Sequence, residues 1–244
     1  MSKTVIIIPS RMSAKRLPGK PLLQINGKSI ISRVLLKAKS CRIGEVIVAT
    51  PDQEIMNEIK KYNGKVVLTS KKHKSGTDRI WEAYKKIKDK SIKYIINLQG
   101  DEPTINIIDI KKLNKIVIKN KIDICTLASK LHNKSLKNKN VVKVITKNKI
   151  SYSSVSKAKL FARNLKKKQN NTYHHIGIYH YSVSALKKFC SLNRSKNEIK
   201  NKLEQLRALD NNMTINVLLA KKQVIGIDTK QDYMELKKKL EYKA

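Results

Sequence analysis

The sequence predicts an α/β protein: a doubly wound, mostly parallel sheet with helices on both faces and a small β-rich insertion. Three observations carry this. Short β-branched runs recur, each followed by a polar loop and then by apolar residues at helical spacing. The first run, Val5 to Ile8, is apolar throughout, as befits a central parallel strand covered on both faces. The cycle repeats about four times before the rhythm changes near Val141.

In order, Val5 to Ile8 is a strand ended by Pro9, and residues 9–21 form a polar loop punctuated by Gly and Pro. Residues 29–39 place Ile30, Ile31, Val34, Leu35 and Ala38 on one helical face. Strands follow at 45–50, 65–69, 94–98 and 122–129, with an acidic helix start at 52–54 and helices at 77–88 and 105–119. Beyond Val141, strands are expected at 141–146 and 173–181, separated by a lysine-rich polar stretch at 157–172. Helices at 182–192 and 196–211, strands at 214–219 and 223–226, and a closing helix at 230–240 complete the chain. There is no internal repeat and no long linker. The expected organisation is one domain over 1–244, with about 141–181 as a dimerisation subregion.

The chain has 244 residues, 54 Lys and Arg against 18 Asp and Glu, and a net charge of +36. That length supports a self-sufficient core. The scarcity of Gly and Pro excludes collagen-like and linker classes. No apolar run approaches the roughly 20 residues of a membrane span, and the first one is too short for a signal peptide, so the chain reads as cytoplasmic. The charge invites a nucleic-acid reading. Only eight of the 54 cations are arginine, however, and aromatics make up 5%, which leaves little for bases to stack on. A solvated lysine coat is the favoured reading, with no specific nucleic-acid partner. Cys41, Cys125 and Cys190 are far apart and lack zinc or disulfide spacing.

In such a chain the rare residues are informative. Four of the five prolines and five of the eight glycines fall in 9–21, 73–79, 99–103, 175–179 and 226–229. Three of these segments follow strands directly, and a doubly wound sheet binds its ligands at the carboxyl ends of its strands. The first segment is neither a Walker loop nor a GxGxxG turn. It is a basic loop carrying Arg11, Lys15, Arg16 and Lys20, suited to a triphosphate. Asp101 follows the fourth strand and Asp228 precedes the last helix. Either could be a local cap; together beside a basic cleft they suit Mg²⁺ held between protein and phosphates.

With these motifs in order, the chain resembles the 3-deoxy-manno-octulosonate (Kdo) cytidylyltransferases from Val5 to about Leu236. The matching pieces are IIPSR…RLPGKPL, VIVAT, HKSGTDRI, NLQGDEP, VVKV, HHIGIY, LEQLRAL and GIDT. The resemblance implies a Rossmann-like nucleotidyltransferase fold, a homodimer, and transfer from CTP to the anomeric hydroxyl of Kdo for lipopolysaccharide synthesis, giving CMP-Kdo and pyrophosphate. It implies Arg11 and Lys20 as triphosphate ligands and Ser75, Gly76, Arg79 and Gln99 as the cytosine and ribose pocket. Asp101 and Asp228 become the Mg²⁺ ligands, and Lys157, His175, Tyr179, Glu204 and Gln205 the sugar-acid pocket. The chain departs from the family at Lys157, where an arginine is expected, at Leu160-Phe161 in place of Ile-Pro, and at Asn201 in place of Glu. The alternatives are a cytidylyltransferase for another 2-keto sugar acid, amino-Kdo or sialic-type, and, more distantly, a basic nucleic-acid-binding protein.

Overall fold

In the computed structural model, which describes residues 3–13, 16–222, 224 and 226–241, the opening apolar run is β1, Lys3–Pro9, with Val5 to Ile8 fully buried. Two short strands, β2 (Gln24–Ile25) and β3 (Lys28–Ser29), meet at Asn26-Gly27, both at positive φ, as a two-residue hairpin requires. Ser29 then caps α1, Ile30–Ser40, its Oγ accepting from the Ser32 amide at 3.2 Å. The next elements are β4 (Val46–Thr50), α2 (Gln53–Lys60), β5 (Lys65–Leu68), α3 (Gly76–Ile87), β6 (Ile92–Asn97) and α4 (Ile107–Lys119). After them come β7 (Ile124–Lys130), β8 (Lys143–Thr146), β9 (Val155–Ala162) and β10 (Thr172–Ser182). Helices α5 (Val183–Ser191), α6 (Lys196–Asn201) and α7 (Leu206–Asp210), strand β11 (Asn216–Leu219) and helix α8 (Lys230–Glu241) close the chain.

The contacts divide the chain into two compact units, residues 1–111 with 224–244, and residues 112–223. The first changeover falls inside α4, which has no compositional signature, so the sequence reads as one domain. In the first unit the strand order is β5-β4-β1-β6, every pair parallel. The chain winds from β1 to β4 and β5 on one side, then returns to add β6 on the other. A crevice at the strand ends between β1 and β6 is therefore built into the topology.

In the second unit the order is β10-β7-β11-β9-β8, and β8 also pairs with β10, so the five strands close into a ring. All its pairs are antiparallel except β7 with β11. The sheet of this unit is thus mixed, in keeping with the change of rhythm expected beyond Val141, though it takes in more of the chain than a small insertion. Strand β9 runs through the lysine-rich stretch that reads as polar loop. Its solvent-facing lysines hide a strand in which Ser156 and Phe161 are buried, with a register shift against β8 between them. The proposed strand at 223–226 is not found at Val224 or Gly226, and Gln223 and Ile225 lie outside the described residues.

The helix expected over 196–211 is two helices. Lys202 adopts φ 53°, ending α6. The break has a cause in the core. Glu198 and Arg207, nine residues apart, would lie on opposite faces of a straight helix. Because the chain turns between them, Arg207 Nε and Nη2 donate to the two Glu198 carboxylate oxygens at 2.8 and 2.9 Å, and Arg194 Nε adds a third bond at 2.9 Å. Glu198 and Arg207 are both buried. No helix among the described residues is long and apolar enough to cross a membrane.

Burial alone would raise the Glu198 pKa, but the bonds from Arg207 and Arg194 outweigh it and hold the carboxyl below its ordinary value. Glu198→Ala, which takes the buried carboxylate away from Arg207, is expected to cost about 3–5 kcal/mol in urea unfolding. A depressed carboxyl pKa stabilises above the unfolded value of about 4.3, and the contribution is lost as pH falls through the folded value. The stability gap between the wild type and Glu198→Gln should accordingly narrow on acidification below about pH 4. A gap independent of pH would mean that Glu198 is not ionised in the fold.

Candidate functional site

In the first unit, the loop after β1 is pinned before it reaches its basic residues. The Ser10 amide donates to Ala49 O at 3.0 Å, and the Met12 amide donates to Asp52 Oδ2 at 2.7 Å. The acidic start of α2 therefore does a different job from the one expected. Asp52 does not cap its own helix; its carboxylate anchors the neighbouring loop. Nothing in the sequence marks this, because the partner is a backbone amide some forty positions away. Arg11, next in line, is exposed. Lys15 lies outside the described residues. Gly19, at φ 70°, turns the chain into a 3-10 turn over Lys20–Leu22.

That turn delivers Lys20 into the crevice. Its Nζ donates to Asp101 Oδ2 at 2.6 Å and to Ile227 O at 2.7 Å, and stands 4.0 Å from Asp228 Oδ1. Arg16 Nη2 donates to the same Asp228 oxygen at 2.7 Å. The structure thus brings Lys20, Asp101 and Asp228 together from three distant segments. Asp228 is not the cap of α8. Thr229 and Asp232 perform that exchange, Thr229 N donating to Asp232 Oδ2 at 2.8 Å and Asp232 N to Thr229 Oγ1 at 3.2 Å. This leaves the Asp228 carboxylate to face the cations. Apolar contacts hold the helix in place, with Ile227 and Leu236 packed against Ile25, Ile30, Leu17 and Leu23.

Asp101 follows β6 through a turn at Gly100. A Cβ there would lie 3.0 Å from Pro9 O and 3.1 Å from Ile31 Cδ1, closer than a side chain ordinarily comes, so glycine suits the close approach of the two strand ends. Beside it, Gln99 Nε2 donates to Asn97 Oδ1 at 3.0 Å, and Gly76, the first residue of α3, packs against Pro9 and Gln99. Ser75 caps α3, accepting from the Asp78 amide at 3.1 Å. Arg79 is buried, donating to Thr69 Oγ1 at 2.5 Å and Ser70 O at 3.2 Å. Burial and then the charge of Arg11 lower its pKa. Within the 73–79 segment, then, Gly76 borders the Gln99 end of the crevice, while Ser75 and Arg79 shape the loop.

In the second unit, β10 and β7 pair in antiparallel register, with His175 opposite Ala128 and Tyr179 opposite Thr126. The register shifts between Ile176 and Tyr179, so Gly177 and Ile178 bulge out. His175 and Tyr179 are both buried, with ring centroids 5.4 Å apart. Phe161 meets His175 edge-on at 5.1 Å, and Tyr181 stacks on Tyr179 at 5.7 Å. Burial and then His174 push the His175 pKa down to about 3, so the ring is neutral. Burial, Tyr181 and Glu204 raise that of Tyr179 well above its usual range. The Tyr179 hydroxyl is buried beside Thr126 and forms no hydrogen bond of ordinary geometry. Gln205 is buried and Glu204 half-buried in the turn between α6 and α7, which the Glu198–Arg207 pair locks. Lys157 is exposed on β9, opposite Asn216 in register and on the other face of the strand from buried Ser156.

Comparison with known proteins follows this geometry. A family model described as Cytidylyltransferase matches residues 5–215. A 3-deoxy-manno-octulosonate cytidylyltransferase of Afipia carboxidovorans is 41% identical over 232 residues, covering 94% of this chain and 93% of that protein. One from Rhizobium etli is 36% identical over 239 residues, covering 95% and 93%. Among solved structures, a CMP:2-keto-3-deoxy-manno-octonic acid synthetase complexed with CTP superposes with a TM-score of 0.89 at 30% identity over the whole of both chains. A UDP-glucose pyrophosphorylase, at 14% identity and a TM-score of 0.73, shares the fold.

Gly100→Ala should destabilise the protein by about 1–3 kcal/mol, since Pro9 O belongs to the backbone and cannot yield. Thermal unfolding reads this directly. An unchanged melting temperature would show that the β1 and β6 ends are not in contact.

Proposed function

The chain belongs to the cytidylyltransferase family, among the 3-deoxy-manno-octulosonate cytidylyltransferases, and from that premise we propose that it transfers the cytidylyl group of CTP to the anomeric hydroxyl of Kdo. The hydroxyl oxygen attacks the α-phosphorus, the bond to the β-phosphate oxygen breaks, and pyrophosphate leaves. The observation that carries the reading is the Lys20 ammonium held between Asp101 and Asp228 at the strand-end crevice. Charge builds on the equatorial oxygens and on the departing pyrophosphate, and Lys20 and Arg11 are the groups proposed to neutralise it. Ser75, Gly76, Arg79 and Gln99 are proposed to form the base and ribose pocket.

Asp101 and Asp228 are proposed to hold Mg²⁺. The residues fit: both carboxylates lie within 4.0 Å of one ammonium nitrogen, so a single small cation can be met by both, through hard oxygen donors. When bound, the ion screens phosphate charge and acidifies the attacking hydroxyl. Among the described residues no cluster of three metal-binding side chains exists, and phosphate oxygens would complete the coordination. In the second unit, His175, Tyr179, Glu204 and Gln205 are proposed to recognise the sugar hydroxyls, and Lys157 the sugar carboxylate. We further propose a cytoplasmic homodimer with 141–181 at its interface.

Pyrophosphate release with CTP across a panel of 2-keto sugar acids tests the reading. Turnover should be highest with Kdo and should fall by about 100-fold or more when ATP or GTP replaces CTP, because a pocket built for one base edge leaves its polar groups unpaired with another. A higher rate with an amino-Kdo or sialic-type acid would transfer the assignment to that sugar. Asp101→Asn and Asp228→Asn should each lower kcat by about 100-fold or more at saturating Mg²⁺, with the far-UV spectrum unchanged. Near-normal turnover in either would remove that residue from the metal site. Lys157→Ala should raise the KM for Kdo and leave that for CTP unchanged, while Lys157→Arg should lower it through a bidentate contact. Kdo kinetics indifferent to both changes would exclude Lys157 as the carboxylate partner.

A further inference from the structure

The bulge in β10 leaves a hydrogen-bonding problem that one buried hydroxyl solves. With Gly177 and Ile178 out of register, the carbonyls of Ile176 and Ile178 both turn to Thr126, whose Oγ1 stands 3.1 and 2.7 Å from them. The same Oγ1 is 3.0 Å from His175 Nε2. Thr126 is fully buried on β7, directly opposite Tyr179.

A hydroxyl carries one proton and two lone pairs. Both carbonyls are acceptors, so the Thr126 proton goes to one of them, and the short contact to Ile178 O is its natural destination. Thr126 then has no proton left for the imidazole. Were His175 Nε2 an unprotonated acceptor, three acceptors would crowd one donor in a buried site, a costly arrangement. Nε2 must therefore carry the hydrogen and donate to Thr126. A neutral ring with Nε2–H has its lone pair on Nδ1, for which no protein partner is found among the described residues.

We propose that Thr126 is a positioning residue that fixes His175 in the Nε2–H tautomer and so makes Nδ1 the acceptor for a hydroxyl of the sugar substrate. This rests on His175 belonging to the sugar-acid pocket. The neighbouring Tyr179 hydroxyl, buried beside the same Thr126 and without a hydrogen bond of ordinary geometry, can supply the opposite polarity. The two residues thus present one acceptor and one donor on a single strand face, a pairing that fits vicinal hydroxyls of a sugar and not a second carboxylate.

Nitrogen-15 NMR of the full-length protein labelled at histidine tests the tautomer, the His175 signal being assigned by its loss in His175→Gln. The expected spectrum shows a neutral Nε2–H ring that does not change between about pH 6 and 8. An Nδ1–H ring, or one that titrates in that range, overturns the proposal. Thr126→Val removes the hydroxyl at constant shape. It should abolish the fixed tautomer and raise the KM for Kdo about tenfold, with the KM for CTP within about twofold, and Thr126→Ser should restore both. If Thr126→Val fails to fold, the wild-type spectrum and Thr126→Ser still decide. A parallel rise in both KM values, or no rescue by serine, would reduce Thr126 to a packing role and overturn the proposal. A correct tautomer together with unchanged Kdo kinetics in His175→Gln would instead overturn the sugar reading on which the proposal rests.

Discussion

The Lys20 ammonium is the point on which the first unit's crevice depends. It bonds to Asp101 after β6 and to the Ile227 carbonyl before α8, while its own backbone belongs to the loop after β1. Its side chain is only 13% exposed, whereas both carboxylates are about one-third exposed. Partly exposed ion pairs add little to stability, so the value of this contact is positional. Without a cation between them, Asp101 and Asp228 would repel each other across the crevice. With Lys20 and Arg16 in place the local charges balance. The triphosphate proposed to bind here would add several negative charges, and Lys20 could not serve phosphate and carboxylates equally well. The divalent cation proposed for these carboxylates would remove that conflict, a physical reason to expect metal and nucleotide to bind together.

The two units hold their candidate recognition groups by opposite routes. In the first, parallel strands end in loops, and functional side chains are brought together by loop anchors such as Met12 N to Asp52 and by the packing of α8. These groups are exposed or half-buried and can move toward a charged ligand. In the second, His175 and Tyr179 are buried on a strand of a closed ring, beside a bulge and within an aromatic row. Polyphosphate binding relies on long-range charge and tolerates adjustment. Discriminating one sugar hydroxyl from another requires donors and acceptors held rigidly, because the penalty for a mismatch comes from buried groups that cannot find another partner.

What was legible in the sequence follows the same division. The parallel half could be read nearly element by element, since strands covered on both faces announce themselves as apolar runs and their loops collect the glycines and prolines. That Lys20, Asp101 and Asp228 come together is anticipated by position: Lys20 lies in the basic loop after the first strand, Asp101 at a strand end and Asp228 before the last helix. The antiparallel half was harder. Strand β9 was hidden because its outward residues are lysines, and the break at Lys202 was hidden because its cause, the Glu198–Arg207 pair, is a tertiary contact. Asp52 and Thr126 were missed for a related reason: each acts on backbone groups brought near by the fold, and no local motif records such a partner.

The basic character of the chain also takes on a structural meaning. Against a background of lysine, arginine persists where several bonds must be made from one side chain. Arg33 donates twice to Ile25 O, Arg79 holds Thr69 and Ser70, and Arg163 gathers the carbonyls of Lys139, Asn201 and Lys202. Arg194 and Arg207 share Glu198, and Arg207 also lies over the Phe189 ring at 4.5 Å. Each of these duties uses the planar, multi-donor guanidinium, which an ammonium cannot reproduce. Lysine has spread where a solvated charge suffices. Its buried exceptions bond backbone carbonyls as a point donor, as Lys143 does to Asn138 O at 2.6 Å and Arg163 O at 2.7 Å. Exposed Lys157 stands on the side of this division where a guanidinium fork is not structurally required, and exposed Arg11 stands out as an arginine kept at the surface of the crevice loop. Arg16, exposed on the same loop, uses its guanidinium to bond Asp228, so both arginines of this loop stand where a planar, multi-donor cation can meet carboxylate or phosphate oxygens.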